Sequence, residues 1–379
     1  MAKLSIGIIG GGIGGFSAAA ALNHFGFETT VYEKAERLRE QGAGMMLWAN
    51  ATRVLDELGL LGRVVAASGP TENFLVRNSR GDKLMDIATG DFEVPSICIP
   101  RSDFLSILAA AHPAERVRTG HEFVRLEQTR NKVRVRFAGG QTAEHDLVLG
   151  ADGLRSPVRT QVFGPREPVY RGYIIWRGIG VDTAGAMPPE TSSETWGRGR
   201  RFGILNTGGG RYTWYAAVNV PQDHPDAPAG RKAELLDIFR DWHAPVEELI
   251  ATTPDAEILK NGACDHNPMR RWVAGRVALL GDSAHACTPN LGQGGGMAVE
   301  DAMVLAKSLR AEKSVEEALR IYEKRRTVRT RHIQQRSRLM GSIAQWENPF
   351  IVKSRELVTN LLPAKIFEFN LRRTYSYRT

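Results

Sequence analysis

The sequence predicts an α/β protein of two interleaved parts, one with a mostly parallel sheet and one with an antiparallel sheet, closed by C-terminal helices. Three observations predict it. An apolar strand at Leu4–Ile9 enters a glycine-rich turn and an alanine-rich helix at Phe16–Phe25, and a second strand follows at Phe27–Glu33. Between 172 and 220 the pattern changes to short aromatic or β-rich runs separated by turn residues, with Gly208-Gly209-Gly210 at a hairpin tip. A fully apolar strand then returns at Arg276–Leu280, followed by two long helical patterns.

The remaining elements follow in order. Thr52–Leu60 reads as a helix stopped by Gly59, and Phe74–Ile87 as a hairpin turning at Ser79–Gly81. Arg101–Ala111 is helical, Val124–Gln128 and Lys132–Ala138 are antiparallel strands, and Asp146–Gly150 is a buried strand. The aromatic region supplies strands at Tyr173–Val181, Thr195–Trp196, Phe202–Leu205 and Tyr212–Val220. Lys232–Ile250, Gly295–Ala311, Val315–Gly341 and the tail beyond Pro349 are expected as helices. The first part should comprise residues 1–72, 100–168 and 270–340, and the second 73–99 and 169–269. Residues 341–379 should form a helical tail.

Composition narrows the function classes. The chain has 379 residues, 42% apolar and 24% charged, which fits a folded globular protein and not a disordered one. Its net charge of +8 is concentrated between Arg320 and Arg338, where eight Lys or Arg face a single acid, Glu323. On a helix, Arg320, Lys324, Arg331 and Arg338 share one face and Arg325, Arg329 and Arg336 another. Ile321, Val328 and Leu339 are expected between them as a buried stripe flanked by arginine stems, so nucleic acid is not expected as a partner. Cys98, Cys264 and Cys287 form neither a disulfide framework nor a zinc pattern, so no metal is expected and a reducing cytoplasm fits. The uncharged stretch Ser5–Leu22 carries six glycines where a secretory segment is leucine-rich, and no run is long and apolar enough to span a membrane.

Three segments carry chemistry. In Gly10-Gly11-Gly12-Ile13-Gly14-Gly15, the frame Gly10, Gly12 and Gly15 allows a tight turn, close approach of a pyrophosphate, and helix–sheet packing. The helix N-terminus presents free N–H groups to the phosphates. Glu33, with Lys34 beside it, ends the second strand, where an acid can take ribose hydroxyls. This predicts a Rossmann-like, dinucleotide-binding unit. The second segment is Asp152-Gly153-Leu-Arg-Ser156-Pro-Val-Arg159, an acidic turn between a buried strand and a helix. In the third, an apolar strand ends at Gly281-Asp282, followed by His285, Pro289, Asn290, Gly292 and Gly294-Gly295-Gly296 before a helix. That places a carboxylate at the sheet's carboxyl edge and a glycine loop on a helix N-terminus.

Together the three segments resemble the single-component FAD-dependent aromatic hydroxylases, the class A flavoprotein monooxygenases. The resemblance implies a glutathione-reductase-like parallel sheet in the FAD-binding domain, and an antiparallel sheet roofing the substrate. It implies bound FAD contacted by Gly10, Gly12, Ile13, Gly14, Gly15, Glu33, Lys34, Arg101, Val124, Asp152, Gly153, Gly281, Asp282, Pro289, Gly292, Gly294, Gly295 and Gly296. It further implies NADH or NADPH and O2 as co-substrates, and a C4a-hydroperoxyflavin that hydroxylates a small phenolic or N-heteroaromatic ring. An epoxidase, or a reductase or dehydrogenase on the same scaffold, is the alternative. The family has no second dinucleotide domain, which agrees with the single glycine fingerprint. Trp48, Trp176, Arg201, Trp214, Tyr215 and Pro289 are the candidates against the substrate, Arg201 as a bidentate clamp on a carboxylate or phenolate. Arg201, Tyr215 and His285 are the catalytic candidates. Tyr212/Trp214 and Thr213/Tyr215 point to opposite faces of one strand, so one pair alone can line a pocket. Arg201 and Gly172–Trp176 are similar to the urate hydroxylase branch. That branch has Asp where this chain has Asn290 and Tyr where it has Thr213, which points away from urate. A monomer or homodimer is expected.

Overall fold

The computed structural model describes residues 4–38, 42–361 and 364–379. Its first sheet has six strands in the order Val273–Ala274, Val277–Leu279, Leu147–Gly150, Ser5–Ile9, Glu28–Tyr32, Val117–Arg118. All its pairings are parallel except the one between the first two strands. Ile6, Ile8 and Leu147–Leu149 are fully buried, as expected of strands covered on both faces. Helix Ile13–His24 packs beside Gly294–Ala311 in one core with this sheet, and its alanines allow that close approach. A three-stranded antiparallel sheet, Phe123–Gln128, Val133–Phe137 and Thr142–His145, joins the same core, with Phe137 stacked on Tyr32 at 4.6 Å.

The second sheet has seven strands in the order Leu259–Asp265, Val169–Val181, Arg211–Val218, Arg200–Asn206, Thr191–Trp196, Asn73–Asn78, Lys83–Ala88. It is antiparallel except where Asn73–Asn78 runs parallel to Thr191–Trp196. One face buries Trp176, Phe202, Ile204 and Trp214 against Phe239, Trp242 and Leu249 of the following helical segment. The opposite face carries Tyr173, Ile175 and Ala217. A short sheet comprises Gly44–Leu47, Ile97–Pro100 and Gly69–Pro70.

The helix expected over 232–250 is two helices, Arg231–Ile238 and Val246–Thr252, because Pro245 has no N–H and disfavours helix at Ala244. The basic segment lies within one 30-residue helix, Val315–Ala344, but its buried stripe is not the expected one. Val328 and Leu339 are 72% and 62% exposed. The inward face is Leu319, Tyr322, Arg326, Ile333, Gln334 and Ser337, so one arginine is itself in the core. The tail forms helices Pro349–Leu361 and Ala364–Tyr375.

Candidate active site

The glycine turn behaves as its spacing demands. Gly10 has φ +111°, and a Cβ there would meet the Ala151 carbonyl. A Cβ on Gly15 would fall on the Gly10 carbonyl, which is how the first turn of helix Ile13–His24 sits so close to the strand. Gly12 differs: nothing lies within 4 Å of a Cβ placed on it. It is the N-cap residue, so a free helix N-terminus opens onto a space that an anion can enter. The Glu33 carboxylate accepts N–H bonds from Gly11 at 2.8 Å and Ala35 at 2.9 Å, fixing it beside the turn. Lys34 and Arg101 are exposed, and Val124 is 52% exposed on the small sheet.

The second and third segments clamp each other. Asp152 accepts from Ser156 Oγ at 2.5 Å, Ser283 Oγ at 2.9 Å and the Val158 N–H at 3.0 Å. Gly153 N–H donates to Ser283 Oγ, and Arg159 donates to the carbonyls of Ser283 and Leu154. Asp152, expected to contact the cofactor, therefore spends its carboxylate on the protein, and burial raises its pKa. Gly281, at φ +63°, turns the chain after strand Val277–Leu279 and leaves Asp282 exposed at the sheet's carboxyl edge. That is the edge where α/β sheets receive ligands.

Behind the Gly294–Gly296 loop lies a buried charge network that sequence reasoning missed. Arg326 pairs with Glu300 at 2.7 Å and Asp301 at 2.6 Å, all three with fully buried side chains. Glu300 also takes Arg329 at 3.0 Å and Asn50 at 2.6 Å, and Asn50 reaches Gln293 of the loop. Asp301 accepts from His285 Nε2 at 2.5 Å and from the Gly281 N–H at 2.9 Å. Burial alone would raise the Asp301 pKa, but His285 and Arg326 hold it below the usual carboxylate value. His285, a catalytic candidate from sequence, is thus a buried partner of Asp301 beside Trp272, and its placement speaks against general-base work.

On the second sheet, alternation decides which aromatics face the site. Trp176 and Trp214 are fully buried on the helix-covered face, and Trp214 donates to Thr253 Oγ1 at 2.8 Å. The structure thus corrects the expectation that they contact substrate. Tyr173, Arg201 and Tyr215 lie on the opposite face. Arg201 Nη1 donates to Glu194 at 2.8 Å, Nη2 donates to Asn290 Oδ1, and the guanidinium lies 5.5 Å from the Tyr173 ring. Tyr173 Oη also donates to Asn290 Oδ1, at 3.0 Å. Asn290 in turn donates to Thr288 Oγ1 and the Ser337 carbonyl, so one side chain of the Pro289–Leu291 turn docks the second sheet onto the glycine loop. The Tyr215 ring lies against Gly203 where a Cβ would clash. Burial and the nearby Glu194 push the Tyr215 pKa well up, so it is a neutral phenol and not a ready base. Thr213 Oγ1 accepts from the Gly44 N–H at 2.7 Å, tying the sheet to the inter-domain strand.

Against this geometry, the family described as FAD binding domain matches residues 3–337. The chain belongs to that family. It groups with the FAD-dependent aromatic hydroxylases, the class A flavoprotein monooxygenases. Aurachin C monooxygenase/isomerase of Stigmatella aurantiaca is 36% identical to it over 99% of this chain and 98% of its own length. An FAD-dependent urate hydroxylase of Klebsiella pneumoniae is 32% identical over 86% of each. The structure of K. pneumoniae HpxO with FAD and uric acid superposes with a TM-score of 0.92 at 28% identity, covering 99% of this chain and 97% of that one.

An apolar wall beside this face combines the short sheet, the seven-stranded sheet and the tail. Met46, Trp48, Leu205 and Tyr375 form one buried cluster with Phe74 and Tyr215 against it. Trp48, a substrate candidate, stacks on Tyr375 at 4.4 Å and donates to the Leu291 carbonyl at 3.2 Å. Tyr173 and Glu194 were not singled out as site residues, and Asn290 only as a departure from the urate branch. The strand alternation that placed Tyr215 also places Tyr173, but a seven-residue reach across a hairpin from Arg201 to Glu194 leaves no sequence signal.

Proposed function

We propose that the hydroxylase takes reducing equivalents from NADH or NADPH, uses O2, and inserts one oxygen atom into a small phenolic or N-heteroaromatic substrate. FAD, when bound, supplies the hydride acceptance and the dioxygen activation that no side chain can supply. The residues fit that group. Gly12 leaves the helix N-terminus open for a pyrophosphate, Glu33 stands ready for the ribose, and exposed Asp282 for the ribitol. The N–H groups of Gly294, Gly295 and Gly296 begin helix Gly294–Ala311, where the helix dipole favours negative charge on the ring system. Exposed Lys34 and Arg101 are the positive charges assigned to the phosphates.

The ring substrate is held between the Tyr173–Arg201–Tyr215 face and the Pro289–Gly296 loop, with Trp48 in the apolar wall that excludes water. The bridge from Arg201 and Tyr173 to Asn290 carries this reading, because it brings the substrate face onto the cofactor loop. Asn290 and Thr213, with their partners in place, argue against urate itself. The protein works in the cytoplasm, where its three free thiols stay reduced.

Purified protein should be yellow. A cognate aromatic should accelerate NAD(P)H oxidation, with O2 uptake matched by a product heavier by one oxygen atom. If every phenol, hydroxypyridine and purine tried leaves the ring unmodified while all reducing equivalents end as hydrogen peroxide, the monooxygenase reading fails.

A further inference from the structure

We propose that Glu194 is the specificity-determining residue of this site. By neutralising Arg201 inside the protein, it selects neutral hydroxylated or carbonyl-bearing aromatics and excludes aromatic carboxylates. The inference rests on the reading of the Arg201 face as the substrate site. Arg201 was expected from sequence to be a free clamp for an anion. Its side chain is 1% exposed and Glu194's is 7%, with Nη1 2.8 Å from Oε1. Nη2 is taken by Asn290. Each arm of the guanidinium therefore already has a protein acceptor, and Glu194 balances its charge. Bringing a substrate carboxylate to Arg201 would place two anions on one cation where water cannot screen them, which binding sites use to reject wrong partners.

The rest of the cluster is uncharged: Tyr173 and Tyr215 have raised pKa values, chiefly from burial, and Asn290 is an amide. Arg177 shares this face; its charge interacts with Arg101, at the end assigned to FAD, and with Tyr173, and one arm of it reaches Asn261 of the neighbouring strand. Arg201 Nε is buried and has no hydrogen-bond partner among the described residues. It offers an N–H to a ring carbonyl or hydroxyl oxygen, whereas a carboxylate there would lie beside the Glu194 anion.

The test uses two matched pairs that differ by one carboxylate, phenol against salicylate and 2-hydroxypyridine against 6-hydroxynicotinate. Binding to the FAD-loaded enzyme is read as perturbation of the flavin absorbance, without turnover. The wild type should bind the neutral member of each pair at least about tenfold more tightly. Glu194→Gln should narrow or invert that ratio, and Asn290→Asp, adding an anion to the same guanidinium, should widen it. Tighter binding of the carboxylates by the wild type overturns the proposal. So does a ratio that neither variant moves; Asn290→Asp decides the matter if Glu194→Gln does not fold. If no member of either pair perturbs the flavin, the assignment of the substrate face is itself wrong, and the proposal goes with it. Failure of oxygen transfer alone, with the binding ratios as expected, would count against the monooxygenase reading and leave Glu194's role standing.

Discussion

Replacing Arg326 by Met removes one positive charge from a site with no access to solvent. Glu300 and Asp301 both remain, each fully buried. Glu300 keeps Arg329 and Asn50, and Asp301 keeps His285 and the Gly281 N–H. The network loses one of its two arginine charges while both carboxylates stay. Losing one partner from a buried pair costs about 3–5 kcal/mol, mostly the penalty of the stranded charge. Urea unfolding of the FAD-loaded enzyme at pH 7.5 should show a deficit of that size. Arg326 also donates to the Met297 carbonyl in the first turn of the helix that carries Gly294–Gly296, so FAD should dissociate faster. The pH dependence has a definite sign. Without Arg326 the Asp301 pKa rises in the folded state, so the variant takes up a proton more readily than the wild type. Its deficit should be largest near neutrality and shrink as the pH falls. A deficit under about 1 kcal/mol, or one constant between pH 5 and 8, would refute the account of this network.

Gly12→Ala should fold normally by circular dichroism yet bind FAD at least about tenfold more weakly by absorbance titration, because the methyl enters the space left for the pyrophosphate. His145 is buried between Ser5 and Tyr32, and burial pushes its pKa down to about 4. Unfolding restores a value near 6.5, so stability should be full above that pH and fall by about 3 kcal/mol as the pH drops from 6.5 to 4; His145→Gln should flatten that part of the melting-temperature profile. Trp214→Phe should cost about 1–3 kcal/mol in unfolding, from lost volume and the lost bond to Thr253, without altering KM for the aromatic substrate. Tyr215→Phe should do the reverse, shifting KM with little loss of stability.

The dinucleotide half of the molecule was legible because its requirements are local. Gly10 needs a positive φ and Gly15 must touch the Gly10 carbonyl. The strand into Gly281 must end where Asp282 can face a ligand. Each constraint acts within a few residues, so the spacing displays it. The short strands Gly44–Leu47, Ile97–Pro100 and Leu259–Asp265 went unseen, since they alternate weakly and exist through their pairing.

The amino-acid order by itself therefore determined the cofactor class and the α/β scaffold that carries it. Which side of Arg211–Val218 is covered by helices, and so closed to a ligand, was left to the tertiary structure. Trp214 and Tyr215 are both large aromatics, so alternation separates them without saying which is inward. Helices Arg231–Ile238 and Val246–Thr252 made that choice by covering the Trp214 face. Folding also decided that His285 serves Asp301, that Tyr375 reaches Trp48 from the far end of the chain, and that Glu194 neutralises Arg201. Charges and rings find such partners through space, where water is excluded and a Coulomb interaction strengthens, and nothing in the local order of residues records the encounter.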